Sequence, residues 1–204
     1  MKKSNHKGLF VAFDGPNGVG KSTLIEHTQT ALVEDGINVW VTKEPTDTSL
    51  GNFTRQIAET LESESLTCLV AADRYQHLNI EIIPKLVEKQ VVLADRYILS
   101  SLILQRMDNV DVDFILAINR NIILPDIQIV VTASQDVIQS RLNERDQLTR
   151  FEQGERTYEE LCFLREGTEI LSDFGVETIT IENSGDISVN VSTIVKHIKK
   201  AVER

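Results

Sequence analysis

The residues best suited to chemistry lie in a glycine-rich segment near the start of the chain. Positions 15–22 read GPNGVGKS, which matches the phosphate-binding pattern G-x-x-x-x-G-K-[ST]. The apolar run 9–13 precedes this segment and a helical run follows it, so the strand–loop–helix context of the pattern is present. Because the backbone N–H groups of such a loop converge on one point, the segment predicts a cradle for the polyphosphate of a nucleoside triphosphate.

Two side chains of this segment add specific chemistry. Lys21 can reach the β- and γ-phosphates, and the Ser22 hydroxyl can ligand Mg²⁺. A plain glycine turn is the alternative, but it would not also carry Lys-Ser-Thr at the start of a helix. We therefore predict ATP and Mg²⁺ as the ligands of the segment. The residues expected to hold the nucleotide are Gly15, Asn17, Gly18, Val19, Gly20, Lys21, Ser22 and Thr23.

Polar residues also follow three of the predicted strands. Asp14 ends the first, the range 43–47 follows the second, and the range 95–97 follows the third. In a parallel sheet these ends meet at one edge, where ligands bind. Asp95 is therefore a candidate Mg²⁺ ligand, with a helix N-cap as the alternative. Arg96 is a candidate phosphate ligand, with a surface ion pair as the alternative.

A cluster of arginines lies in the polar segment 145–154 and in the helix before it. Arg141 and Arg145 are four residues apart and share one helix face, and Arg150 follows them. We expect 145–154 to form a lid whose arginines close over a transferring phosphoryl group and offset its charge. A solvated, charge-rich helix end is the competing interpretation.

Two further polar residues lie inside predicted helices. Arg74 shares a helix face with Val70 and Leu78 and, taken alone, would be a surface arginine. Gln105 ends a helix, where a solvent-facing side chain is the default.

The elements that must position these residues are apolar runs alternating with longer amphipathic stretches. Strands are predicted over 9–13, 38–42, 91–94, 127–132 and 178–181. Helices are predicted over 22–35, 49–61, 66–88, 98–105, 112–121, 135–144, 157–173 and 189–202, with Pro84 breaking the third of them. This alternation predicts an α/β fold of the P-loop NTPase type, with a five-stranded parallel sheet covered by helices on both faces.

Length and composition limit the remaining possibilities. A chain of 204 residues fits one domain, 1–204, with the lid as part of it. The net charge of −10 argues against non-specific nucleic-acid binding. Its two cysteines, Cys68 and Cys162, have neither metal-ligand spacing nor a disulfide pattern. Since no signal peptide or membrane-spanning stretch is recognisable, we expect a cytoplasmic protein without nucleic-acid or membrane partners.

Six segments together resemble the thymidylate kinase family, within the nucleoside monophosphate kinase group. The glycine-rich loop is shared by very many proteins, whereas the D-R-Y-x-x-S-S-x-x-x-Q segment after a buried strand is far more discriminating. The segments are FDGPNGVGKST (13–23), KEPTDTSLG (43–51), AADRYQH (71–77), ADRYILSSLILQ (94–105), LPDIQIVV (124–131) and RLNERDQLTRFEQ (141–153).

The resemblance implies roles for individual side chains. Arg96 is similar in position to the arginine that contacts the acceptor phosphate, Arg74 to the one that reads a pyrimidine carbonyl, and Gln105 to the glutamine near the base or sugar. Arg145 and Arg150 resemble lid arginines of the bacterial type, in which the lid supplies the catalytic arginine. Lys21, Arg96, Arg145 and Arg150 are therefore the catalytic candidates. The substrate-binding candidates are Asp14, Glu44, Pro45, Val70, Arg74, Arg96, Tyr97, Ser101 and Gln105.

Several positions depart from the family pattern. Val70 stands where a phenylalanine usually stacks on thymine, and Leu104 where an aromatic residue often limits the sugar 2′ position. Asn17 replaces a common acid, and Thr46-Asp47 replaces a Gly-Gly or Glu-Arg pair. Near an incoming phosphate, Asp47 would repel it unless magnesium intervenes. The triphosphate half of the site is therefore expected to be intact and the base-reading half altered.

The function implied by the resemblance is phosphoryl transfer from ATP to a pyrimidine nucleoside monophosphate, with dTMP to dTDP as the leading reaction. One alternative is a deoxynucleoside kinase that uses Glu44 as its base. A kinase-like binding protein of low activity is another, while a GTPase switch is disfavoured because N-K-x-D is absent. Family members are typically homodimers, and the apolar faces of 98–104 or 114–118 are candidate interfaces.

Overall fold

A five-stranded sheet forms the centre of the computed structural model, which describes residues 1–3, 6–144, 149–151 and 157–203. Its strands are β2 (Leu9–Asp14), β3 (Val39–Lys43), β4 (Val91–Asp95), β6 (Ile127–Thr132) and β7 (Glu177–Glu182). They lie in the order β3-β4-β2-β6-β7 and every neighbouring pair is parallel, which confirms the predicted fold class. Of the predicted lid, only 149–151 is described; Arg145 lies outside the described residues.

A short second ladder was not predicted. It pairs β1 (Lys2–Lys3) in parallel with β5 (Ile123–Leu124). Strands of two residues carry no periodicity that a sequence pattern could reveal.

The helices follow the predicted order with shifted ends. The stretch predicted as one helix over 66–88 is divided, because a single π turn, Leu78–Ile82, separates its two helical parts. Pro84 lies in the first turn of the second part, where its missing N–H breaks no helical hydrogen bond. The helices are α1 (Lys21–Glu34), α2 (Ser49–Ile57), α3 (Ser63–His77), α4 (Ile83–Val87), α5 (Ile98–Met107), α6 (Val112–Ile118), α7 (Gln135–Asn143), α8 (Thr157–Asp173) and α9 (Ile187–Val202).

The sheet is buried on both faces, which explains its continuous apolar strands. Phe10 and Ala12 of β2 point into the core shared with α5 and α8, whereas Val11 and Phe13 point into the core shared with α1 and α9. Helix α5 lies inside the first core, so most of the face 98–104 packs within the chain. The expectation that this face is a subunit interface is therefore wrong.

The register of the strands positions the candidate site. Phe13 and Lys43 both pair with Asp95, so the carboxyl ends of β2, β3 and β4 meet at one edge of the sheet. The three polar strand ends predicted from the sequence are thus neighbours. Among the residues that the structure describes, no helix has the length and apolar character needed to cross a membrane.

Candidate active site

The glycine-rich loop connects β2 to α1 and requires glycine at two crowded points. Gly15 has φ 153°, and a Cβ there would lie 2.0 Å from the Val131 carbonyl oxygen. Gly20 has φ 88°, and a Cβ there would lie 2.7 Å from Nδ2 of Asn183. Any other residue would combine a strained backbone with a clash, so these glycines allow the loop to curl tightly against β6 and the end of β7.

Lys21 is held inside this loop. Its Nζ donates to the carbonyl oxygens of Gly15 at 3.0 Å and Pro16 at 2.8 Å. Burial and repulsion from Arg96 lower the pKa of Lys21 to about 7. The negative charge of a polyphosphate in the loop would oppose both effects and favour the charged ammonium. The structure therefore places Nζ of Lys21 within the loop, and its contact with the β- and γ-phosphates stays a prediction.

The loop is braced by two side chains from other elements. Nδ2 of Asn183, just after β7, donates to the Val19 carbonyl oxygen at 2.8 Å. Nη1 of Arg141, on α7, donates to the same oxygen at 3.0 Å, and its Nη2 donates to the Asn183 carbonyl oxygen at 3.1 Å. Asn183 was not predicted from the sequence, although a polar residue directly after the last strand satisfies the same strand-end rule that indicates Asp95.

Ser22 and Asp95 face each other at the first turn of α1. The Ser22 hydroxyl donates to Oδ2 of Asp95 at 2.6 Å, and both residues line an open cleft. Hydroxyl and carboxylate oxygens suit Mg²⁺, which binds through one or two such groups together with substrate phosphates. Among the described residues, no group of three metal-ligating side chains forms a closed cage. This arrangement fits a metal that arrives with a nucleotide.

Asp47 borders the same cleft but is already paired. Its Oδ1 lies 3.0 Å from Nζ of Lys43 and 3.6 Å from Nη2 of Arg55. These two cations offset the repulsion that Asp47 was expected to exert on an incoming phosphate.

Arg96 lies between the glycine-rich loop and α5. Its Nη2 donates to Oδ1 of Asn17 at 2.6 Å, and its Nη1 donates to the Ser100 hydroxyl at 3.1 Å. Its backbone is left-handed, with φ 74°, and is held by a hydrogen bond of 2.9 Å to the Phe13 carbonyl oxygen. Strained backbone of this kind is found at functional sites, where the surrounding contacts maintain it.

Asp14 differs from its predicted role as a substrate ligand. It is fully buried, and it accepts hydrogen bonds from the backbone N–H groups of Tyr97 at 3.2 Å and Ser100 at 3.0 Å. Gln128 donates to its other oxygen at 3.0 Å. Burial raises the pKa of Asp14, although these hydrogen bonds oppose the rise. Asp14 therefore positions the start of α5. Because its side chain is fully buried, it does not contact substrate directly.

A cavity opens beside Arg96, between α2, α3 and α5. It contains about 840 Å³ of space, part of which is open to solvent. Its lining includes most of the predicted substrate-binding residues: Glu44, Pro45, Val70, Arg74, Arg96, Tyr97, Ser101 and Gln105, together with Leu66, Leu104 and Phe151.

Arg74 and Gln105 are buried at this cavity, contrary to their default positions on a helix surface. Arg74 is 1% exposed, and its Nε donates to Oε2 of Glu44 at 2.9 Å. Its Nη1 donates to Asn119 at 2.9 Å and its Nη2 to Ser101 at 2.9 Å. Gln105 is 3% exposed. The partners of Arg74 come from the loop after β3, the end of α6 and the helix α5, which the pattern of its own helix could not reveal.

Arg150 is held away from the glycine-rich loop. It forms a bidentate pair with Asp108, with Nη1–Oδ1 at 2.7 Å and Nη2–Oδ2 at 2.6 Å, and this pair raises its pKa. It also donates to the Ala58 carbonyl oxygen and stacks 3.9 Å from the centre of the Phe151 ring. The expectation that Arg150 approaches the transferring phosphoryl group stays a prediction, and such an approach would require its guanidinium to leave Asp108.

Comparison with known proteins points to one family. The family model for thymidylate kinase matches residues 13–194. A probable thymidylate kinase of Caldivirga maquilingensis is 40% identical over 148 residues, covering 71% of this chain and 72% of the relative. One of Methanococcus aeolicus is 37% identical, covering 72% of each chain. A thymidylate kinase of Caldicellulosiruptor saccharolyticus is 37% identical, covering 67% of this chain and 70% of the relative.

These matches agree with the geometry of a curled phosphate loop beside an arginine-lined cavity. The family model spans most of the chain, including the loop, the cavity and the helix α7. The chain belongs to the thymidylate kinase family of nucleoside monophosphate kinases.

Proposed function

We propose that this protein transfers the γ-phosphoryl group of ATP to the 5′-phosphate of dTMP, giving ADP and dTDP. Membership of the thymidylate kinase family supports this reaction. The observation that carries the proposal is the position of Arg96. Its guanidinium bonds Asn17 of the phosphate loop at 2.6 Å and also lines the neighbouring cavity, so it would face both a phosphate donor in the loop and a phosphate acceptor in the cavity.

In the donor half, the loop residues 15–23 would hold the triphosphate of ATP. Val19 is fully buried through its side chain, so its contribution is its backbone, as for Gly18 and Gly20. Lys21 would exchange its bonds to loop carbonyls for phosphate oxygens. Ser22 and Asp95 would hold Mg²⁺, which when bound neutralises charge on the phosphates.

In the acceptor half, Arg74 would read the base. It donates four hydrogen bonds within the protein, and a guanidinium has five N–H groups. The remaining N–H can donate to a carbonyl oxygen, which thymine has where cytosine has an amino group. That amino group is itself a donor and cannot accept this hydrogen bond. Gln105 adds a second polar contact, and Val70 and Leu104 supply apolar walls.

The chemistry requires alignment and charge neutralisation more than proton transfer. An oxygen of the acceptor phosphate attacks the γ-phosphorus, and the bond from that phosphorus to the departing ADP oxygen breaks. Because the acceptor phosphate is already ionised near neutral pH, no strong general base is needed. Lys21 and Arg96 are the described cations we assign to the transferred group, and Arg145 remains a predicted lid contribution.

A deoxynucleoside kinase is the nearest alternative, and the hydrogen-bond partners of Glu44 argue against it. That reaction needs a carboxylate that is free to accept a proton from a hydroxyl. One oxygen of Glu44 accepts from Arg74 at 2.9 Å, and the other lies 3.2 Å from Nδ1 of His77. Both oxygens of Glu44 are thus already engaged, so neither is free to accept the proton of a substrate hydroxyl.

Turnover with a panel of acceptors tests the proposal. ADP release from ATP would be measured with each common nucleoside monophosphate and with thymidine, and dTMP should be the best acceptor. Arg96→Gln should lower kcat/KM by about 10²-fold or more, as for loss of one transition-state donor. Arg120→Gln, an exposed arginine on the same protein, is the matched control and should be unaffected. Turnover of thymidine alone, or flat release with every acceptor, would contradict the proposal.

We also propose that the chain acts as a single domain, as a homodimer and in the cytoplasm. The family resemblance supports the dimer, and the range 114–118 on α6 is the remaining candidate surface because three of its apolar side chains, Phe114, Leu116 and Ile118, are only partly buried. Light scattering of the purified protein tests the dimer, and a mass of one chain would contradict it.

A further inference from the structure

A buried carboxylate connects the floor of the acceptor cavity to a histidine behind it. Glu44 lines the cavity, and its side chain is 4% exposed. Oε2 of Glu44 accepts from Nε of Arg74 at 2.9 Å, and Oε1 lies 3.2 Å from Nδ1 of His77. His77 itself is fully buried and does not line the cavity. Glu44 is therefore the cavity-lining side chain that His77 contacts directly.

The same histidine is bonded on its other side as well. Its Nε2 lies 2.7 Å from the Thr42 hydroxyl and 3.4 Å from Oε2 of Glu81. Oε1 of Glu81 accepts from Nε1 of Trp40 at 2.7 Å. The connected groups thus run from Arg74 at the cavity to Trp40, a half-exposed side chain on β3.

The arrangement favours a charged histidine. Each ring nitrogen of His77 faces a carboxylate oxygen, and only the imidazolium carries an N–H on both nitrogens. Burial lowers the pKa of His77, but the hydrogen bonds to Glu44 and Glu81 outweigh it and raise the pKa to about 9. The hydrogen bond from His77 lowers the pKa of Glu81 to about 2. With His77 charged, two cations and two anions balance in this cluster, Arg74 and His77 against Glu44 and Glu81.

We propose that His77 is a positioning residue for recognition of the acceptor base, because its imidazolium holds Glu44 and, through Glu44, the guanidinium of Arg74. The inference rests on the proposed function, in which Arg74 contacts that base. A neutral imidazole donates from only one nitrogen, so one of the two carboxylates would lose its donor. If Glu44 loses the N–H donor of His77, this buried carboxylate is left only partly paired beside Arg74. Glu44 then no longer fixes the orientation of the Arg74 guanidinium.

Two other ionisable side chains near the cluster, Tyr97 and Lys85, do not account for a change in the orientation of Arg74 at high pH. Tyr97 contributes its ring 5.2 Å from the Arg74 guanidinium, and burial raises its pKa well above the ordinary value, so it stays protonated. Lys85 of α4 lies 4.5 Å from the centre of the Trp40 ring. Because Lys85 could also alter the fluorescence of that ring, it needs its own control variant.

Fluorescence of Trp40 tests the charge state of His77 without any nucleotide. Trp40 is the single tryptophan of the chain, so its emission can be followed between pH 7 and 11 in the full-length protein. We expect a transition with a midpoint near 9 in the wild type that is absent in His77→Gln. It should persist in His197→Gln, a half-exposed histidine, and in Lys85→Gln. Glu81→Gln should lower the midpoint, because it removes one of the two anions that favour the imidazolium.

Steady-state kinetics then test the positioning role. At saturating ATP, the KM for dTMP should rise about tenfold as pH passes through 9, while kcat changes less than about twofold. His77→Gln should show the raised KM for dTMP already at neutral pH, with no further rise. A His77→Gln enzyme with reduced thermal stability but wild-type KM and pH profile would overturn the proposal.

Two further outcomes keep the test decisive. Should His77→Gln not fold, Glu81→Gln must shift the midpoints of fluorescence and of KM downward together, and unshifted midpoints overturn the inference. Should the wild type not phosphorylate dTMP, the proposed function fails on that result, whereas the fluorescence transition still reports the protonation of His77 independently.

Discussion

Replacing Glu44 by glutamine tests whether this carboxylate is a buried structural anion or a catalytic base. The side chain of Glu44 is 4% exposed and lies 2.8 Å from Nη2 of Arg74 and 3.2 Å from Nδ1 of His77. The amide keeps the size of the side chain but removes its charge from between two buried cations. Removing one partner from a buried ion pair costs about 3–5 kcal/mol, so we expect the free energy of unfolding to fall by about that amount.

Urea denaturation at neutral pH measures this loss. Asp47→Asn provides the matched control, because Asp47 also pairs with a cation, Lys43, at 3.0 Å but is 72% exposed. Solvent screens such a pair, so the control should change the free energy of unfolding by no more than about 1 kcal/mol. A similarly small loss for Glu44→Gln would refute the reasoning that burial makes this carboxylate indispensable to Arg74 and His77.

Kinetics of the same variant distinguish the two candidate reactions. If Glu44 holds Arg74 at the acceptor cavity, Glu44→Gln raises the KM for dTMP and changes kcat by less than about tenfold. If Glu44 were a general base, kcat would fall by about 10²–10⁴-fold. A loss of that size at unchanged KM would favour the nucleoside as the acceptor and contradict our assignment.

Three further predictions address the loop, the cavity wall and the 149–151 segment. Lys21→Ala should abolish turnover but leave the melting temperature nearly unchanged, because Nζ of Lys21 bonds only its own loop among the described residues; a large drop in melting temperature would contradict this. Val70→Phe should lower the KM for dTMP by about tenfold through base stacking, whereas Cys68→Phe, on the exposed side of the same helix, should not; equal KM values would count against the placement of Val70. Asp108→Asn should speed amide hydrogen exchange in 149–151, since it breaks the bidentate pair with Arg150, and unchanged exchange would argue that the segment is held otherwise.

The parts of the site that could be predicted are those encoded over a few neighbouring residues. The loop 15–22 can be recognised from the sequence, because spaced glycines, a lysine and a hydroxyl residue must follow one another to surround a phosphate. Asp95 and Arg96 could be placed because parallel strands bring their carboxyl ends to one edge, whatever the order of the strands. The structure adds only their partners, Ser22 and Asn17.

Burial of single polar side chains could not be predicted in this way. Arg74 reads as a surface residue because its own helix offers no partner, whereas Glu44, Asn119 and Ser101 are 30, 45 and 27 positions away along the chain. Asp14 ends a strand as Asp95 does, yet its Oδ1 accepts from backbone N–H groups at the start of α5 and its Oδ2 accepts from Gln128. The same local pattern thus produced a buried positioning group and a partly exposed candidate ligand.

Sequence alone determined the fold class, the phosphate loop and the edge of the sheet at which a site must form, because each depends on local periodicity and on backbone geometry. Only the tertiary structure decided which charges meet. Arg150 is paired with Asp108 instead of facing the loop, and His77 is enclosed by Glu44 and Glu81. Electrostatic attraction depends on distance and burial, and both are set by the packing of elements far apart in the chain.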